Sequence, residues 1–204
     1  MHQVKYYLLY ESTTYKVVYF NWRLLYNTSM IRQILLYESD TISVYCSPAV
    51  SQFSNRALRT YVKAAIAAEK TLIKDIKKKY PKKTKDIKFN FHYKNYKAED
   101  MLGSCDVETD DDIRIDLNAK MIGSSICKTI AHELVHARQF ISGQLKYNVR
   151  TKYFSWEGDK HRYIYRKQPW ELEAYKLQER GNLKMKRWLL DHVHYQPTLK
   201  TRDL

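Results

Sequence analysis

The chain reads as an α+β protein, and three observations carry that reading. Stretches with apolar residues every three or four positions, at 51–79, 124–142 and 169–180, mark helices. Between them, at 87–93, 113–118 and 147–165, apolar and polar residues alternate with the period of half-buried strands. Only 5 Gly and 4 Pro occur in 204 residues, so regular elements are long and flexible low-complexity segments are excluded.

Residues 1–47 carry eight tyrosines, no Gly, no Pro and almost no net charge. Segments 17–20 and 41–45 have strand composition, and 30–37 fits a short helix or a strand. Pro48 marks a change of composition, which divides the chain into an N-terminal extension, 1–47, and a domain spanning 48–204. The domain opens with the 51–79 helix, for which Ser51 or Ser54 can cap the start and Tyr80-Pro81 ends the run. Lysines 77, 78, 79, 82, 83 and 85 crowd its C-terminus, where positive charge suits the helix dipole. A strand at 87–93 follows, then a turn at Gly103-Ser104-Cys105-Asp106, then a strand at 113–118. The acidic run Asp110-Asp111-Asp112 lacks the Gly and the distant Glu of a calcium loop and reads as a solvated connection.

The helix at 124–142 carries the chemistry. Gly123, Ser124 and Ser125 open it and Gly143 stops it. Ile126, Ile130, Leu134, Ala137 and Ile141 form an apolar stripe, and Thr129, His132, His136 and Gln139 form a second stripe on roughly the opposite side. Within it lies His132-Glu133-Leu134-Val135-His136, an H-E-x-x-H string. Residues four apart on a helix sit one above the other, so two imidazoles can meet one zinc ion while Glu133 reaches a water held there. Residues 147–165 then read as two strands joined by a turn around residues 156–160. Pro169 starts a helix that Gly181 closes, with a last short helix at 183–194 before a polar tail.

A catalytic zinc needs a third protein ligand and an open position. Glu173 is favoured because small Ala174 beside it lets two helices approach closely. Glu171, explained equally by the helix dipole, and His161 are the alternatives. Glu171 and Glu173 point about 200° apart, so only one of them can face the ion. The oxyanion-stabilising donor is open among His161, Tyr163 and Tyr175.

Composition bounds the rest. Cys46, Cys105 and Cys127 are odd in number and none is spaced C-x-x-C, which argues against a disulfide framework or an all-cysteine zinc site and for a reducing compartment. The start of the chain lacks an apolar signal region, and no apolar run is long enough to span a bilayer, so a cytoplasmic protein is expected, in the host cytoplasm if the source is viral. The net charge of +14 is uneven: residues 51–100 carry 14 Lys/Arg against 5 Asp/Glu, and 101–123 reverse sign. Such a surface attracts polyanions, and nucleic acid is the partner class it suggests beside a protein or peptide substrate.

The H-E-x-x-H string, the hairpin with Trp156 and Gly158, and Pro169-Trp170-Glu171-Leu172-Glu173-Ala174 together resemble a small family of bacteriophage and bacterial zinc metallopeptidases of the gluzincin type, over roughly residues 55–181. The resemblance implies a zincin-like core: an N-terminal helix, a small mixed sheet, the active-site helix, a hairpin and a ligand-bearing helix. It implies peptide-bond hydrolysis with Zn2+ held by His132, His136 and a glutamate, and Glu133 as general base. It further implies Asp112–Asn118 as the substrate-binding edge strand, with Ile113, Ile115 and Tyr163 as substrate contacts. SprT-like proteases, which act on proteins crosslinked to DNA, are similar in the H-E-x-x-H string and basic charge. They take a third histidine soon after the motif helix, and the nearest one here, His161, lies in a hairpin of different pattern.

Overall fold

A computed structural model describes residues 33–96, 102–109, 112–121, 124–148, 153–160 and 168–200. Strands β1 (Ile34–Glu38) and β2 (Ile42–Cys46) form an antiparallel hairpin whose turn is tied by Ser39, its N–H donating to the Ile42 carbonyl at 2.8 Å. One turn, α1 (Pro48–Ser51), precedes α2 (Asn55–Ala68), which Ser54 caps by accepting the Ala57 N–H. A π-helical stretch at Glu69–Ile73 carries α2 into α3 (Lys74–Lys79), and α4 (Pro81–Thr84) leads to β3 (Lys88–Lys94). Strands β4 (Gly103–Thr109) and β5 (Asp112–Asn118) follow, then α5 (Ser124–Ser142). Three short strands, β6 (Leu145–Asn148), β7 (Tyr153–Trp156) and β8 (Asp159–Lys160), separate α5 from α6 (Pro169–Asp191). The architecture is mixed α+β.

The main sheet runs β1-β2-β3-β5-β4, with β2, β3 and β5 parallel and both outer strands antiparallel to their neighbours. Three expectations change here. Residues 34–46 of the expected N-terminal extension belong to this sheet, β2 pairing directly with β3, while 1–32 lie outside the described residues. Asp112–Asn118 is an inner strand, flanked by β3 and β4, and the edge beside α5 is β4. Gly103-Ser104-Cys105-Asp106 has turn composition, yet pairing with β5 makes it a strand. Third, Ile113 and Ile115 are core residues, 2% and 0% exposed. They share a sheet face with Ile42, Val44, Phe89, Phe91 and Leu117, against which α2 and α5 pack. The alternate residues of β5 face the other way, where Asp116 pairs with Lys94 at 2.7 Å and Arg114 at 2.8 Å.

Gly143, at φ +81°, ends α5 in the left-handed conformation that favours glycine. Gly181 does not end a helix: α6 runs through it to Asp191, absorbing most of the separate helix expected at 183–194. Its role is close approach. A Cβ at Gly181 would lie 2.9 Å from Ala131 Cβ on α5 and 3.1 Å from Leu72 Cδ1. Beyond α6 the tail returns to the sheet, the Lys200 N–H donating to the Leu36 carbonyl of β1 at 2.7 Å. The expected turn between strands at 156–160 forms at Glu157-Gly158, joining β7 to β8, with β6 as a third strand. Segments 17–20 and 110–111, and the Gly123 start of the motif helix, lie outside the described residues. No described helix is long and apolar enough to cross a membrane.

Candidate metal centre

Helix α5 lies between the sheet and α6, so its polar stripe is covered as well as its apolar one. Thr129, His132, Glu133, His136 and Gln139 are all buried. On successive turns the two imidazoles bring their Nε2 atoms to 3.1 Å. The Glu171 carboxylate meets both, with Oε2 3.3 Å from His132 Nε2 and Oε1 3.4 Å from His136 Nε2. These three buried groups converge on one point and can hold a metal ion.

The carboxylate at the imidazoles is therefore Glu171, and the preference for Glu173 is corrected. Glu173 turns aside to Arg138 Nη2 at 2.7 Å and Gln139 Nε2 at 2.8 Å. The rotation of α6 decides between them. Its buried residues include Glu171, Ala174, Gly181, Asn182 and Met185, at helical spacings that place them on one face. Ala174 does permit close approach, but a residue three earlier shares its face and the one immediately before it does not. The stripe Glu171, Ala174, Gln178, Gly181 and Met185, with its two small residues, was the available signal for the third carboxylate. It also marks Gln178, which the sequence reading missed. Gln178 Oε1 lies 3.2 Å from His132 Nδ1, while Gln139 Oε1 lies 2.9 Å from His136 Nδ1. Each imidazole thus has an amide behind it and its Nε2 at the shared point, the arrangement that orients histidine ligands.

Glu133 is 2% exposed and lies against β4. Only glycine fits opposite: a Cβ at Gly103 would come 3.0 Å from Glu133 Oε1 and 2.8 Å from Thr129 Cγ2. Burial raises the Glu133 pKa above the usual carboxylate value, more than the two nearby imidazoles lower it. For His136 burial acts downward, yet the Glu171 charge and hydrogen bond prevail and raise it to about 9. Burial would raise Glu171, but the two histidines hold it well below the carboxylate range.

Tyr175, one turn after Glu171, sets its ring edge-on to His132 at 4.9 Å between centroids and is 42% exposed. The other candidates, His161 and Tyr163, lie outside the described residues. Cys46, Cys105 and Cys127 are free, buried and no part of the described ligand group. Comparison with protein-family models, curated proteins and solved structures found no match.

Proposed function

We propose that the protein is a zinc-dependent peptidase of the zincin type, with His132, His136 and Glu171 as metal ligands and Glu133 as general base. The observation that carries the reading is the donor set: two imidazole Nε2 atoms 3.1 Å apart, with one Glu171 oxygen 3.3 Å from His132 and the other 3.4 Å from His136. Two imidazoles and a carboxylate are a donor set that suits zinc, and His132, His136 and Glu171 would hold the ion where their side chains already meet. Bound zinc would supply a Lewis acid for the scissile carbonyl and acidify water in its open position.

The chain's own groups do the rest. Glu133, raised in pKa by its dry setting, accepts a proton from the attacking water and returns it to the leaving amine, so one water and one peptide bond become a carboxylate and an amine. Gln139 and Gln178 orient the imidazoles. Strand β4 offers an antiparallel edge beside Glu133 on which an extended peptide can lie. Tyr175, exposed beside His132, is the described residue best placed to donate to the oxyanion.

The test is zinc content together with cleavage of an unfolded protein. Glu133→Gln keeps stoichiometric zinc and loses about 10²–10⁴-fold in turnover, whereas His132→Ala loses both. Purified wild-type protein that takes up no stoichiometric zinc sinks the proposal.

One further surface supports a second reading, a basic face that binds nucleic acid. Lys78, Lys79, Lys82, Lys83 and Lys85 are exposed where α3 meets α4. Two of them also have local roles, Lys83 donating to the Ser142 carbonyl at the end of α5 and Lys79 lying over the Tyr80 ring. Duplex DNA binding that weakens steeply with salt, and weakens further when these lysines become glutamines, is the expected result. Binding that ignores both changes removes this reading.

A further inference from the structure

We propose that Glu173 is a positioning residue of the metal centre, acting on His136 through Gln139. The inference rests on the metal reading above and concerns how the ion's site is held. Gln139 is fully buried three residues after His136, and its side chain has three partners. Its Oε1 faces His136 Nδ1 at 2.9 Å, and its Nε2 donates to the Trp170 carbonyl at 3.0 Å and to Glu173 Oε2 at 2.8 Å. Both recipients belong to α6 and flank Glu171.

A primary amide has two N–H donors and one carbonyl oxygen. With both donors committed to oxygens of α6, the oxygen is left to accept the Nδ1 proton of His136. A flipped amide would set NH2 against Nδ1–H and oxygen against two oxygens, so the network fixes the amide. His136 therefore keeps its Nδ1 proton whatever its charge, and the proton that gives way to an ion is the one on Nε2, facing His132 and Glu171. Arg138 completes the relay by holding the same Glu173 oxygen at 2.7 Å. Arg138, Glu173, Gln139 and His136 thus connect a partly exposed ion pair to the buried centre and tie α5 to α6. The amide behind His132, from Gln178, stands farther off at 3.2 Å than the 2.9 Å of Gln139 from His136, so the stronger control falls on His136.

The experiment compares wild type, Glu173→Ala and Glu173→Gln in the full chain. It measures zinc affinity by chelator competition and the His136 Nδ1–H proton resonance in the metal-free and zinc-loaded protein. Glu173→Ala is expected to weaken zinc binding by about 10–100-fold and to broaden or shift the Nδ1–H resonance. Glu173→Gln restores most of both, because its amide oxygen can still accept from Gln139. A purely structural Glu173 would lower the melting temperature of the alanine variant while leaving zinc affinity and the Nδ1–H signal of the folded protein unchanged, and that result overturns the inference. Wild type that binds no zinc overturns the metal reading and this inference together; wild type and Glu173→Ala binding zinc equally overturns the inference alone.

Discussion

If His136 is a metal ligand as proposed, a proton and the ion compete for its Nε2, and the sign of the resulting pH dependence follows from the site. In the metal-free protein Glu171 raises the His136 pKa from 6.5 to about 9. The folded state therefore keeps a proton that the unfolded chain releases between those values, and the associated stability is full below pH 6.5 and lost as pH rises through about 9. The lowered pKa of Glu171 works in the other direction, its contribution being present above the ordinary carboxylate range and lost on acidification. Chelated protein should thus melt at falling temperature as pH rises from 7 to 9.5. A bound ion displaces the Nε2 proton, so the interval between the zinc-loaded and chelated melting temperatures should widen over the same range. Differential scanning calorimetry in both states checks this, and a constant interval would show that no proton is exchanged for the ion.

Two glycines separate the contacts that set the site from those that do not. Gly181 lies where α6 crosses α5, and the Ala131 Cβ that a new methyl would strike is fixed to the helix backbone. Gly181→Ala should cost about 1–3 kcal/mol, as overpacked cores do, and should weaken zinc binding because shifting α6 shifts Glu171. Gly158 is the control: it sits in the β7–β8 turn at φ +96° with open space around it. Gly158→Ala should cost about 1–2 kcal/mol through backbone strain and leave zinc affinity unchanged. Thermal melts with parallel chelator titrations separate the two effects. These positions also show where sequence reading stops. The extent of α5, its stop at Gly143 and the meeting of His132 and His136 on one helix face were legible because period, cap and spacing are local. Whether Glu171 or Glu173 met the histidines depended on the rotation of α6, which Ala174 and Gly181 set by packing against another helix. Strand β4 escaped notice because Gly, Ser, Cys and Asp acquire strand geometry there by pairing with β5.

The composition change at Pro48 falls within a single sheet, since β1 and β2 precede it and β3, β4 and β5 follow. Strand β2 sets Ile42, Val44 and Cys46 on the core face, in register with Phe89, Phe91 and Tyr93 of β3, and β1 is held at the sheet's far edge by β2 and the Lys200 N–H. Tyrosine content and neutral charge made 1–47 look separate, because composition does not report pairing partners that lie forty or more residues away. A chain beginning at Pro48 would lose two of five strands, expose one side of Phe89 and Phe91, and turn β3 into an unprotected edge beside a hydrophobic face. That chain should therefore fail to unfold cooperatively, bind a hydrophobic dye at neutral pH and lose zinc affinity although every proposed ligand is still present. Residues 48–204 that melt in a single sharp transition with unchanged zinc affinity would restore the boundary at Pro48. The dependence expected here runs through packing: β3 and β5 support α5, α5 and α6 set the distance between His132, His136 and Glu171, and removing strands at the far side of the sheet loosens the centre.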